Sequence, residues 1–432
     1  MNVLILAYDF PPLISISGQR PYGWYKYLPD SNISVTVITR HWSENCHVPI
    51  DYVQPTSQEV LRETDGKGNL IIRVPFAPNL RDRFLVKFGF ERFAFVRRFL
   101  TLIYSFLQFL SLAFDPKRNI YKQAELHIKA NPPDLIIATG EPFILFKYGY
   151  LLSSKYKIPW ISDYRDPWTS NQGQYQRNTL QKIQNWFYKK LEEKYVSNAA
   201  FITTAAPSYV KKFLEIHPEK EMHVVYNGFD EEHFKNVEDI VPIKNKFIIT
   251  YTGIIYPHQN VEMFLDGLDD FIRQEKITKD QLEVRFYGLE LWADAIRRMN
   301  EYKPYLRDYI SIHSKVPYAD MVKKLRESHL LLLLSKLGVE WLNAKIFDYL
   351  AAQRKILLVE NDQGILEQLL RETGGGFAAN SSNDVLKVLR SEYRAFLDGE
   401  SAAATSNDRY KTFSRKKQAQ LFAELLHQKF SA

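Results

Sequence analysis

Short aliphatic and β-branched runs alternate along the chain with longer stretches whose apolar positions recur at helical spacing. A first series of runs occupies residues 3–7, 34–39, 69–74, 134–139, 159–163, 200–204 and 223–226. A second occupies 247–252, 282–287, 309–313, 330–334 and 355–359. Runs apolar on both faces predict strands of a parallel sheet covered by helices above and below. Strands alternating with helices predict doubly wound α/β architecture, and two series predict two sheets. Residues 1–7 read as the first strand rather than a signal peptide, because they lack a basic leader and run straight into Asp9. Asn227-Gly228-Phe229-Asp230 is turn-like and the following 231–246 is polar with Pro242, so the join is expected there. The expected domains are 1–230 and 231–413. Residues 414–432 are expected to form an amphipathic helix with Gln418, Leu421, Phe422, Leu425 and Leu426 on its apolar side.

The stretch 81–114 departs from this alternation. Its first half interleaves Arg81, Arg83, Lys87, Arg92, Arg97 and Arg98 with Phe84, Phe88, Phe90, Phe93, Phe95 and Phe99, and 99–114 carries no charge. A membrane-spanning helix needs about 20 apolar residues, so this segment is too short to cross. Phe88, Phe95, Leu102 and Phe109 fall on one face of a single helix over 81–114. Two readings stand. The helix lies in a membrane interface through Arg92, Phe95, Arg97, Arg98 and Phe99, or it packs on the first domain.

Composition changes the picture in three places. With 57 Lys and Arg against 50 Asp and Glu, the formal net charge is +7, which favours phosphate groups or anionic lipid as partners. No nucleic-acid-binding motif accompanies that charge. Cys46 is the single cysteine, so no internal disulfide and no cysteine-based metal site can form.

Candidate chemistry gathers where the predicted strands end, which is where open α/β sheets bind ligands. In the first series, Tyr8-Asp9-Phe10-Pro11-Pro12 leads to a loop with Gly18 and Arg20. Thr139-Gly140-Glu141-Pro142 follows another strand, and Ser162-Asp163-Tyr164-Arg165-Asp166-Pro167-Trp168 a third. Gly18 permits close backbone approach or is an ordinary turn residue, and Arg20 suits a phosphate or another ligand acceptor group. Asp163, Arg165 and Asp166 form either a structural charge cluster or a working one. In the second series, Gly253 ends the first strand and His258 lies in the loop beyond it, either at a ligand or on the surface. Tyr287-Gly288 ends the next strand, and Val316 follows another. Glu340 and Asp348 stand with seven residues between them after the run 330–334, with Lys345 three residues before Asp348 on a helix. A carboxylate at a strand end suits ligand hydroxyls, and a lysine near a helix start suits an anionic group. The alternative is a surface ion pair between Lys345 and Asp348 beside an unrelated Glu340.

The segment 335–352, with its two acids and with Lys345–Leu350 reading Lys, apolar pair, acid, Tyr-Leu, resembles the GT-B glycosyltransferases, and within them the retaining group called family 4. The Asp-Tyr-Arg-Asp-Pro-Trp segment resembles a bacterial branch of the same enzymes. The resemblance implies two Rossmann-like domains facing each other across a cleft, with the last helix crossing back to the first domain. It implies transfer of a hexosyl or N-acetylhexosaminyl group from a nucleoside-diphosphate-sugar to an acceptor hydroxyl, with retention and without metal. By this resemblance Asp163, Arg165, Asp166 and Glu340 are catalytic. Gly18, Arg20, Gly253, His258, Tyr287, Gly288, Val316, Lys345 and Asp348 bind the donor, and Glu141 meets the acceptor. The acceptor implied is a glycan or lipid-linked glycan of cell-surface polysaccharide or lipid-linked oligosaccharide synthesis. The location implied is the cytoplasm or the inner face of a plasma membrane. Two departures from the family pattern bear on catalysis: no histidine stands near Glu141 or Asp163, and Gln259 occupies a position where lysine is common. A non-catalytic sugar-nucleotide or carbohydrate binder and a nucleotide-sugar 2-epimerase are the competing readings.

Overall fold

Every hydrophobic run named above forms a strand, and two further strands join them. The computed structural model describes residues 1–13, 15–43, 46, 49–170, 179–289, 293–338, 341–400 and 407–430. The chain divides into two compact units. One comprises Met1–Tyr226 with Gln418–Ala432, the other Asn227–Lys417.

The first unit holds β1 (Asn2–Leu6), β2 (Ser34–Arg40), β3 (Leu61–Thr64), β4 (Leu70–Val74), β5 (Leu135–Gly140), β6 (Trp160–Tyr164), β7 (Ile202–Thr204) and β8 (Met222–Val224). Their order in the sheet is β3-β4-β2-β1-β5-β6-β7-β8. All pairings are parallel except β3 with β4. Strand β3 has all of its residues exposed at the sheet edge and so carries no apolar signature in the sequence. The chain order reverses direction between β1 and β5, which opens the loops after those two strands away from each other.

The second unit holds β9 (Phe247–Thr252), β10 (Leu282–Tyr287), β11 (Ile310–His313), β12 (Leu330–Leu334), β13 (Lys355–Val359) and β14 (Gly376–Ala379). They form an all-parallel sheet in the order β11-β10-β9-β12-β13-β14, with the reversal between β9 and β12. Strand β14, Gly-Phe-Ala-Ala, is too short and too poor in branched residues to be seen as a run. The helix Val261–Glu275 starts at Asn260, whose side chain accepts from the Met263 amide, and it buries Phe264, Leu265, Leu268 and Phe271 over the sheet. Gly267 lets the helix Ser382–Leu397 come close. A Cβ there would lie 2.5 Å from Val385 Cβ and 2.6 Å from the Ser382 carbonyl oxygen. Gly267→Ala is therefore expected to destabilise this unit by about 1–3 kcal/mol in a denaturant titration.

Two expected elements differ from those observed. The stretch 81–114 is not one helix but two main pieces, Leu80–Phe88 and Ala94–Leu110. Gly89 ends the first at φ +74°, so Phe88 and Phe95 are not neighbours on one helical face. The last helix is Arg415–Phe430, and its buried face is Ala419, Phe422, Ala423 and Leu426, packed with Trp24, Ile5 and Val37 in the first unit's core. Leu421 is exposed instead. Two alanines share that face with Phe422 and Leu426, and Phe422 lies against Trp24 at 5.0 Å between ring centres.

Candidate functional site

In the second unit, the site is built at the reversal point. Strand β9 ends at Thr252, and the chain turns at Gly253 with φ +88°; after β10 it turns again at Gly288 with φ +81°. Both are backbone conformations that side chains rarely adopt. Lys345 opens the helix Lys345–Ala351. Its Nζ donates to the Thr252 carbonyl oxygen and sits 4.1 Å from the centre of the Tyr251 ring. A Cβ on Gly253 would lie 3.3 Å from that same nitrogen, so the glycine leaves the ammonium uncrowded. Among the described residues no carboxylate pairs with Lys345. Burial pulls its pKa down to about 7.

Asp348, one turn along, does not meet Lys345. Its carboxylate accepts from the Tyr318 hydroxyl, and the His233 ring stands edge-on to that tyrosine at 4.9 Å. Burial raises the Asp348 pKa to about 6, with Arg415 and the Tyr318 hydrogen bond opposing and Asp230 adding to the rise. The expected alternative of a surface ion pair between the two residues is thus not what forms. Both are half-buried, and their contacts differ.

His258 stacks on Tyr256 at 5.7 Å, and Tyr256 touches Trp341 edge-on at 5.4 Å, so the loop after β9 meets the segment after β12. Burial, with the nearby Lys336 cation, keeps the His258 pKa below its ordinary value. Gln259 is buried and ties this loop down. Its Oε1 accepts from the Tyr256 amide and its Nε2 donates to the Leu334 carbonyl oxygen at 2.8 Å. Tyr287 stacks on His313 at 4.7 Å, and both border a cavity of about 810 Å³ with Ser314, Val316, Arg285 and Lys324. Glu340 lies outside the described residues.

In the first unit, β1, β5 and β6 are neighbours, and each delivers a carboxylate just past its end: Asp9, Glu141 and Asp166. Arg165 lies among them. Its Nε donates to the Gly140 carbonyl oxygen at 2.6 Å, its Nη2 to that of Glu141, and its Nη1 is 3.8 Å from Asp9. Asp9 accepts from the Ser17 hydroxyl, and Asp166 from Tyr209 at 3.4 Å. The carboxyl groups of Glu141 and Asp166 stand at the surface, yet the protein crowded around them raises both pKa values against the pull of Arg165.

Asp163 and Arg20 sit deeper. Asp163 is fully buried, accepting from Arg20 Nε at 3.1 Å, from Arg20 Nη2 at 2.7 Å and from the Thr203 hydroxyl at 2.7 Å. Arg20 also donates to the Val225 carbonyl oxygen and is 3% exposed. The expected loop around Gly18 is in fact the first turn of the helix Ile16–Tyr27, capped by Ser15. A Cβ on Gly18 would come within 3.2 Å of the Phe10 amide nitrogen, so the close approach at Gly18 is to the chain's own backbone. Arg92, Phe95, Arg98 and Phe99 are exposed in and just before the helix Ala94–Leu110, with Arg97 half-buried 5.8 Å from the Phe90 ring.

Sequence reasoning passed over Asp9, Tyr209, Lys336, Tyr318 and Arg415. Asp9 stood in plain view after the first strand. Arg415 reaches Asp348 from far along the chain, and no local pattern carries that.

No family model matches the chain, and no curated protein matches it by sequence. Solved structures do match it along its length. One is sucrose-phosphate synthase from Thermosynechococcus elongatus, with TM-score 0.64, 12% identity, and coverage of 100% of this chain and 99% of that one. Another is HepE from Anabaena in complex with UDP-glucose, with TM-score 0.60, 12% identity, and coverage of 99% and 100%. A third is the catalytic domain of starch synthase IV from Arabidopsis thaliana bound to ADP and acarbose, with TM-score 0.57, 11% identity and full coverage of both. The chain has the GT-B fold, with two Rossmann-like parallel sheets.

Proposed function

We propose that the protein is a retaining glycosyltransferase that moves a hexosyl or N-acetylhexosaminyl group from a nucleoside-diphosphate-sugar to an acceptor hydroxyl. The observation that carries this reading is Lys345: a desolvated ammonium, unpaired among the described residues, beside two glycine bends at the sheet's reversal point. A half-buried, desolvated cation with no carboxylate beside it is costly to keep unless an anion arrives. The UDP-glucose held by HepE and the ADP held by starch synthase IV suggest which anion.

As the bond between the anomeric carbon and the diphosphate stretches, negative charge grows on the leaving phosphate. Lys345 stabilises it, and His258 adds a contact from the loop that follows Gly253. Asp348, steadied by Tyr318, takes the ribose hydroxyls. Tyr287 and Val316 meet the nucleobase, and Glu340 holds hydroxyls of the donor sugar. The first unit serves the acceptor. Arg165 fixes the Gly140–Glu141 backbone, and Glu141 and Asp166, with their raised pKa values, accept hydrogen bonds from acceptor hydroxyls. The Arg20–Asp163 pair holds the C-terminal end of β6 beneath them. The acceptor proposed is a glycan or lipid-linked glycan of cell-surface polysaccharide or lipid-linked oligosaccharide synthesis.

The test is a thermal-shift series with UDP-, GDP-, dTDP- and ADP-sugars on the native protein and on Asp348→Ala. One nucleobase class should stabilise the native protein, by about 2.7 kcal/mol at a hundredfold excess over Kd. Asp348→Ala should lose most of that shift. Equal stabilisation of the variant would remove Asp348 from the donor site. Donor binding with no nucleoside diphosphate released under any acceptor would leave a binder rather than a transferase, and acceptor-free conversion of the donor would point to an epimerase.

A further inference from the structure

The helix Ala94–Leu110 contains 17 residues and only Phe109 is fully buried. Its sequence has no acid, and among its apolar side chains Phe95 is 82% exposed, Phe99 54% and Val96 39%. The reason is a seam that runs out. The helix packs against Thr179–Val196 through Phe106–Phe187 at 4.9 Å, Phe109–Tyr188 at 5.6 Å, and Gln184 Nε2 donating to Ser105 Oγ at 2.9 Å. Along one face, Phe109 is buried, Leu102 half-buried and Phe95 open. The neighbouring helix does the same at its own start: Leu180, Ile183 and Trp186 are 61%, 53% and 64% exposed. The helix Leu80–Phe88 adds Leu80 at 60% and Val86 at 43%. Apolar exposure on this scale, shared by neighbouring helices, marks a docking surface rather than scattered residues.

The charges around it choose the partner. From Leu80 to Leu110 the basic residues are Arg81, Arg83, Lys87, Arg92, Arg97 and Arg98, and the neighbouring helix adds Lys182. Only Asp82 and Glu91 oppose them, and Asp82 is already held by Arg81 at 2.9 Å. A second copy of the chain would set these cations against their own kind. No helix among the described residues is long and apolar enough to cross a membrane. We propose that this face is a monotopic membrane-binding surface. In this arrangement Phe95, Phe99, Ile183 and Trp186 enter the boundary between headgroups and acyl chains of an anionic bilayer, while Arg92, Arg98 and Lys182 meet the lipid phosphates. The site lies wholly in the first unit and is independent of the donor residues.

The experiment is co-sedimentation of the full chain with vesicles of equal parts phosphatidylglycerol and phosphatidylcholine, and with phosphatidylcholine alone. The native protein should bind the anionic vesicles at low salt and lose most of that binding at high salt. Phe95→Ser combined with Trp186→Ser should lower the partition at least about tenfold, and Arg92→Glu with Arg98→Glu should abolish the preference for anionic lipid. Brominated acyl chains should quench fluorescence of the native protein but quench Trp186→Phe less. An unchanged melting temperature and an intact nucleotide-sugar shift in these variants would show that the fold and the donor site survive. Vesicle binding that survives the paired serine substitutions, absence of binding at low salt, or self-association abolished by the same substitutions would each overturn the proposal.

Discussion

Replacing Lys345 by methionine should weaken donor binding and, at the same time, raise the melting temperature of the empty protein. The lost charge-assisted contact to a diphosphate is worth about 1.5–3 kcal/mol, roughly ten- to a hundredfold in affinity. Loss of charge stabilisation on the leaving phosphate should lower kcat by about a hundred- to a thousandfold. The stability gain has a definite pH window. Lys345 titrates near 7 when folded and near the ordinary lysine value when unfolded, so above about pH 7 the unfolded chain holds the extra proton. The penalty is therefore complete below pH 7 and fades as pH rises toward 10. Asp348 has the opposite sign: titrating near 6 when folded, it exacts its full penalty above pH 6 and less as pH falls. Lys345→Met should therefore gain most below pH 7 and progressively less above it, by about 2–4 °C for each 1 kcal/mol relieved. The same titration makes donor binding take up a proton above pH 7. Affinity should then fall by up to about tenfold per pH unit, which calorimetry in buffers of different ionisation enthalpy reads directly. Equal donor affinity in Lys345→Met would take the lysine out of the donor site.

Asp163→Asn should be the most damaging single change in the first unit. It leaves the Arg20 guanidinium, 3% exposed, facing an amide that carries no charge. Removing one member of a buried pair costs about 3–5 kcal/mol, because the other charge is left without compensation. Denaturant titration should show the first unit unfolding earlier. A double replacement, Arg20→Met with Asp163→Leu, should recover much of the loss, since no uncompensated charge remains. If Asp163→Asn unfolds with the native midpoint, the pair does not hold the C-terminal end of β6, and its part in positioning Arg165 and Asp166 falls with it.

What the sequence disclosed follows from where the physical signal is local. Parallel strands such as Leu330–Leu334 are buried on both faces and announce themselves as uninterrupted apolar runs. The exposed edge strand Leu61–Thr64 has no such run and stayed silent. Among the candidate residues, Arg165 and Asp166 are legible because they follow a strand end within a short motif, and Lys345 and Asp348 because they lie in one at a helix start. Their partners are not, because Tyr318 and Arg415 reach Asp348 through tertiary folding alone. Arg20 and Asp163 show a second limit. Charged residues near a strand end read the same in sequence whether they face a ligand or each other, and only burial separates the cases. The break at Gly89 was visible as a glycine, but a helical periodicity that ran across it concealed its effect.

The returning helix has a consequence for how the molecule is made. Ile5 and Leu426 belong to one core although nearly the whole chain separates them. On the ribosome, the first sheet emerges long before the segment that covers it. Trp24 must wait, unroofed, while the entire second unit is synthesised, and only then does Phe422 arrive to close over it.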